Sequence, residues 1–268
     1  LSVIALFPIQ IFLASTYGYD WWVNSFMILG FAYLFSEIQQ NEEKIKLKSY
    51  LIIIGAFFLA CCPKLIYFPV FICIILLGKH KFSIPLYYKM NIIFAFVLAF
   101  AVASMFLLPF ISSGPGGGDP RGEGNIDAAM QVAYIFENPL EYTKTLLKQL
   151  FVYFSANSIA DDSVFFAYLG GNIYHGSLMF AITILAAFTD RNKHDARLLQ
   201  NQNRFFVWSI VFIIVCLFTT ALYISFNSVG ADTIGGVQGR YLLPLIFPIF
   251  AFMGSKNIIN NIRKDLYM

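Results

Sequence analysis

Charge is what this sequence has least of. Lysine, arginine, aspartate and glutamate make up 12% of its 268 residues, about half the usual share. A soluble domain of this length needs far more polar surface, so the scarcity excludes one. Histidine is scarcer still, at three residues. His80, His175 and His194 are too scattered to ligate a metal together. The four cysteines offer no metal spacing either. Cys73 and Cys216 sit inside apolar runs, and Cys61 and Cys62 are adjacent, so they read as small buried hydrophobes. The sequence has no P-loop, no dinucleotide-binding glycine pattern, no HExxH helix and no GxSxG elbow. A net charge of +3, broken into short clusters, provides no nucleic-acid-binding face, and no nucleic-acid partner is expected.

What the sequence has in excess is apolar surface. Hydrophobic residues reach 59%, phenylalanine alone contributes 30, and the mean hydropathy is +0.70. These values point to an all-α, polytopic membrane protein. The few cations then become informative. Lys44/Lys46/Lys48, Lys79/Lys81/Lys89, Arg191/Lys193/Arg197/Arg204 and Lys256/Arg263/Lys264 hold 13 of the 18 lysines and arginines, and each cluster flanks an apolar run. The positive-inside rule puts such clusters in the cytoplasm, where they also meet anionic lipids. The residues left for the outer side include Asp20, Lys64, Asp119, Arg121 and Arg240.

The runs can be walked in order, with about 20 apolar residues needed per crossing. Leu1–Tyr17 is one run. Asp20 interrupts it amid Tyr17, Tyr19, Trp21 and Trp22, an aromatic belt of the kind found at headgroup level, and Trp21–Phe35 follows. Tyr50–Leu77 has basic clusters at both ends, so it must turn back on itself. Two short helices, Tyr50–Cys62 and Leu65–Leu77, are expected to form a hairpin with Pro63–Lys64 at its tip, because proline breaks helix there. Met90–Phe110 is the cleanest span and leads outside. The outer loop 111–172 opens on a glycine-rich stretch around residues 114–118. It should then carry two interfacial helices, Asp127–Glu137 and Leu140–Phe154. Ile173–Phe188, Phe205–Phe226 and Tyr241–Gly254 complete a single transmembrane domain over 1–268. The expected total is about seven to eight membrane helices including the hairpin pair.

The outer-face ionisable residues are where chemistry can sit. Lys64 has apolar flanks, so it either snorkels from a helix tip or serves a site. Arg240 follows Gly235-Gly236-Val237-Gln238-Gly239. Glycines admit close backbone approach and a guanidinium grips phosphate through paired hydrogen bonds; the other reading is an interfacial anchor. Asp20 can cap a helix, act as a base toward an acceptor hydroxyl, or help hold a divalent metal. Asp119 and Arg121 lie in the flexible loop. Two cations near the headgroup plane suit a phosphate or pyrophosphate, and a carboxylate there could deprotonate an acceptor hydroxyl.

These residues also carry a resemblance. Val237-Gln238-Gly239-Arg240-Tyr241-Leu242-Leu243-Pro244 resembles the carboxy-terminal signature of a bacterial multi-pass family, domain of unknown function 2142. Gly122–Pro139 with Asp127, Gln131 and Asn138-Pro139 is similar to its central outer-loop pattern, and Ala14–Asp20 and Pro63–Tyr67 resemble further positions. That family is grouped with the GT-C glycosyltransferases, which use a polyprenyl-phosphate sugar donor on the outer face. The resemblance implies a GT-C-like enzyme of envelope glycan assembly in the bacterial cytoplasmic membrane. Asp20 would be catalytic, and Lys64, Arg121, Gln238, Arg240 and Tyr241 would bind substrate, with membrane lipids around them. No cofactor is named, and a divalent metal stays open. Family proteins carry an acidic loop after their first membrane helix. None precedes Leu1, so the chain reads as an amino-terminally truncated piece with Asp20 in the second outer loop.

Two other classes compete. A transporter or flippase of a lipid-linked glycan would need broken helices at matching places in two halves; Pro63–Lys64 is one break, and no second half matches. A non-catalytic scaffold of an envelope-assembly complex would lack the catalytic loop altogether.

Overall fold

The computed structural model describes residues 2–5, 7–40, 44–112, 126–154, 176–189 and 200–254. All regular structure among them is helical. The helices are α1 (Ser2–Ala5), α2 (Pro8–Ala14), α3 (Asp20–Gln39), α4 (Leu47–Cys61), α5 (Pro85–Ser112), α6 (Ala128–Glu137), α7 (Pro139–Tyr153), α8 (Gly176–Thr189), α9 (Asn201–Phe226) and α10 (Leu243–Met253). Three 3₁₀ segments join them: Leu65–Leu76, Lys79–Lys81 and Gly239–Tyr241.

Two of these helices, Pro85–Met105 within α5 and Asn201–Phe226, are long and apolar enough to cross a membrane. Leu47–Cys61, Leu65–Leu76 and Leu243–Met253 are apolar but shorter. The first run departs from expectation. Leu1–Tyr17 is not one span, because helix α1 stops and α2 restarts at Pro8, with Phe7 held at φ −55° and ψ 136°. Proline has no N–H to continue the ladder and pushes its predecessor out of the helical region.

The hairpin forms, with one change. α4 and the 3₁₀ segment Leu65–Leu76 pack on each other, and Ile45 N–H, before the pair, donates to the Lys81 carbonyl, after it, at 2.9 Å. The run therefore does double back. Its second arm is 3₁₀ rather than α, with Pro69 inside it. The tighter winding has a consequence for reach. Twelve residues extend about 24 Å as 3₁₀ against about 18 Å as α-helix.

α3 is the central post. It packs chiefly on α4 and also on α10, while the 3₁₀ segment lies between α5 and α9. Gly30 lets α3 and α4 approach: a Cβ there would sit 2.6 Å from the Phe57 ring. Phe31, Phe57 and Phe71 then stack edge to face through the core, at 5.0 and 6.4 Å between centroids.

The ends of α3 are chemically different. At its carboxy-terminal end Lys81, 1% exposed, contacts the Glu37 carboxylate at 3.3 Å and the Gln40 carbonyl. Lys44 donates to the carbonyls of His80 and Phe82. Arg204 reaches the carbonyls of Phe252 and Met253, and Phe252 stacks on Phe35. Members of three sequence clusters of cations thus gather at one end. Asp20 begins the other end, about 30 Å away along a 20-residue helix. The outer faces of α5 and α9 expose Ile93, Phe96, Val97, Phe100, Phe205 and Phe212, a surface suited to acyl chains.

Candidate functional site

Asp20 is the first residue of α3, with no basic residue in its own helix to pair with. Two cations reach it from remote segments. Lys64, in the α4–3₁₀ connection, places Nζ 2.5 Å from Oδ1. Arg240, in the turn before α10, places Nη1 3.6 Å from Oδ2. The Asp20 and Lys64 side chains are 11% and 12% exposed, that of Arg240 37%. One carboxylate and two cations leave the cluster with a charge of +1. The amino-terminal dipole of α3 adds to that positive potential.

Tyrosines wall the cluster. Lys64 Nζ lies 4.6 Å from the Tyr241 ring centroid and 5.2 Å from that of Tyr19. The Arg240 guanidinium is 5.7 Å from the Tyr241 ring. These are cation–π distances. Burial holds the Lys64 amine below the usual lysine range; Asp20 opposes that shift and Arg240 adds to it.

The 238–241 turn is fixed from below by two phenols. The fully buried Tyr67 donates its hydroxyl to the Tyr241 carbonyl at 2.7 Å, and Tyr153 donates to the Gln238 carbonyl at 3.3 Å. The preceding loop is equally tied. Asn227 Oδ1 accepts from Gly235 N–H at 2.7 Å, and Gln131 Oε1 accepts from Gly230 N–H at 2.8 Å. Gly230 and Gly236 sit at φ +72° and +80°, backbone that other residues adopt only with strain.

One turn further along the same face of α3 lies a buried amide pair. Asn24 Nδ2 donates to Gln10 Oε1 at 2.8 Å, leaving Gln10 Nε2 and Asn24 Oδ1 buried without a hydrogen bond. The Nε of Arg240 is likewise buried and unpaired. That guanidinium makes no hydrogen bond to a described residue: its approach to Asp20 is Coulombic only.

The expected site residues therefore largely meet. Asp20, Lys64, Arg240 and Tyr241 converge. Gln238 contributes its backbone carbonyl. Arg121, with Asp119, lies outside the described residues. Tyr67 and Tyr153 were not expected as site residues. A tyrosine hydroxyl inside an apolar run such as 65–76 must find an acceptor, and that was the available signal. A divalent metal does not fit this arrangement. Asp20 is the cluster's one carboxylate, each of its oxygens faces a cation, and no group of three metal-ligating side chains occurs among the described residues.

Over residues 1–249 the chain matches the family described as predicted membrane protein (DUF2142), and it belongs to that family of membrane proteins. No curated protein and no solved structure matches it.

Proposed function

We propose that this member of the family is a GT-C-like glycosyltransferase of the bacterial cytoplasmic membrane. It would transfer a sugar from a polyprenyl-phosphate donor to an envelope glycan or lipid-linked acceptor on the outer face. The proposal includes about seven to eight membrane helices, counting the hairpin pair and shorter helices with the two long ones. The gathering of Lys44, Lys81 and Arg204 at the end of α3 opposite Asp20 supports that orientation.

The observation that carries the reading is Arg240, a partly exposed guanidinium with no hydrogen bond to a described residue, set beside Lys64 in a net-positive, aromatic-walled cluster. In the reaction an acceptor hydroxyl oxygen bonds to the anomeric carbon. The bond from that carbon to the phosphate oxygen breaks, and its electron pair stays on the phosphate. Lys64 and Arg240 stabilise the charge that develops there. Asp20 orients the acceptor hydroxyl and takes its proton as the new bond forms. Tyr241 and Gln238 flank the two cations, and Arg121 in the outer loop is a further candidate for the phosphate.

The test uses membranes containing the full-length protein and a radiolabelled polyprenyl-phosphate sugar. Wild type should move label into polymer or lipid-linked product, and Arg240→Ala should lose at least about 100-fold of that rate, as expected when a transition-state charge partner is removed. Wild-type transfer by a folded Arg240→Ala protein would remove this residue from the site. The helix break at Pro63–Lys64 favours a second reading, a flippase. That protein would move intact donor across vesicles without releasing sugar.

A further inference from the structure

Asp20 engages the two cations that the transferase reading assigns to the donor phosphate. Its two oxygens point at the same two cations, Lys64 Nζ at 2.5 Å and Arg240 Nη1 at 3.6 Å. It also stands at the amino terminus of a 20-residue helix, where anions are favoured. The two contacts are unequal. Lys64 makes a charge-assisted hydrogen bond, whereas Arg240 is held at an ion-pair distance with Nε buried and unpaired. A guanidinium carries five donors in a planar fork, and here none of them bonds a described residue. Among the described residues the cluster is thus half satisfied: Asp20 hydrogen-bonds Lys64 and leaves the Arg240 guanidinium without a hydrogen bond.

We propose that Asp20 is an internal placeholder that competes with an incoming lipid phosphate for Lys64 and Arg240, and is released when that phosphate binds. This rests on the transferase reading above. The donor's phosphodiester carries one negative charge and two free oxygens, and that pair of oxygens can engage the guanidinium fork through two parallel hydrogen bonds, which Asp20, 3.6 Å from Arg240, does not. Lys64, on a flexible four-carbon stem, follows the phosphate. Asp20 then has both oxygens free and can accept the hydrogen bond of an acceptor hydroxyl. Binding of the donor therefore unmasks the group that orients the acceptor, and an empty site keeps its carboxylate engaged. The order of events follows: phosphate first, acceptor second.

The direction of one mutational effect separates this from any scheme in which Asp20 helps hold the phosphate. Dodecyl phosphate and inorganic phosphate are titrated into purified protein in detergent, with binding read by quenching of the fluorescence of nearby Trp21 and Trp22. Asp20→Asn should bind dodecyl phosphate about tenfold more tightly than wild type, because a like charge a few ångströms away is gone. Equal or weaker binding overturns the placeholder. If Asp20→Asn fails to fold, Asp20→Asn/Lys64→Met is compared with Lys64→Met, a pair in which no buried lysine is orphaned; the same gain is expected, and its absence overturns the idea. Dodecyl phosphate binding more tightly than inorganic phosphate assigns the ligand to a lipid, and equal affinity overturns that assignment. Absence of binding by wild type sinks the phosphate reading itself. Binding lost in Arg240→Ala but not gained in Asp20→Asn sinks the exchange alone.

Discussion

Lys64 Nζ sits 2.5 Å from Oδ1 of Asp20 across a separation of 44 residues, and the contact joins the start of α3 to the tip of the hairpin. Both side chains are largely buried. Removing one partner strands a charge, which is worse than removing both. Lys64→Met should lower stability by about 3 kcal/mol. Adding Asp20→Asn to it should recover part of that loss. Unfolding of the two variants in detergent checks this; additive losses would show that the pair is not coupled.

The Lys64 amine has a second signature. Its folded value lies below the ordinary lysine value of 10.5, through burial first, with Asp20 raising it and Arg240 lowering it. The charged form is thus disfavoured by folding. That cost is present below the folded value and is relieved as pH rises toward 10.5, so this group's contribution to stability increases with pH across that window. Acylation of the amine, followed by mass spectrometry against pH, should give Lys64 a midpoint below 10.5. Asp20→Asn should lower the midpoint further and Arg240→Ala should raise it.

The Gln10–Asn24 pair allows a test of burial energetics beside the site. Asn24→Leu removes the donor to Gln10 Oε1 and leaves that side chain with no partner for either polar atom. A loss of about 1–3 kcal/mol is expected. The double variant Gln10→Met/Asn24→Leu should be more stable than Asn24→Leu alone, since apolar replacement of both partners removes the desolvation cost. Thermal unfolding of the three proteins is the readout.

Gly236 tests how far the loop positions Arg240. At φ +80° an alanine costs about 1–2 kcal/mol in backbone strain, and its Cβ would meet the Phe226 ring at 2.8 Å. Gly236→Ala should weaken dodecyl phosphate binding severalfold while Gly55→Ala, where a Cβ meets nothing within 4 Å, should leave it unchanged. Titration of both variants decides.

Much of this was legible in the sequence for a physical reason: charges are few, so each one must have a place. Basic clusters at both ends of Tyr50–Leu77 forced the hairpin, and the Ile45–Lys81 backbone bond closes it. A helix was expected to open at Asp127, which caps it by accepting from Met130 N–H at 3.0 Å. The shared side of Asp20, Lys64 and Arg240 was legible, but their convergence on one another is shown by the structure alone. What the sequence hid was winding and burial. Hydrophobicity does not distinguish 3₁₀ from α in Leu65–Leu76, and Pro8 was submerged in an apolar run. Lys81 read as one member of a cytoplasmic basic cluster, and its burial at 1% exposure was hidden because its partners Glu37 and Gln40 are 44 and 41 residues away. Tyr67 and Tyr153 act through hydroxyls on distant backbone carbonyls, a relationship that no local pattern encodes.

The most direct test of the central claim, that this cluster receives a lipid phosphate, is photo-crosslinking with a diazirine-bearing polyprenyl phosphate. Labelled peptides are mapped by mass spectrometry in wild type and in Arg240→Ala. The expected result is label on the segments around Tyr19–Trp22, Pro63–Tyr67 and Gln238–Tyr241 that is lost in the variant. Label confined to the acyl-facing sides of α5 and α9, equal in both proteins, would contradict it.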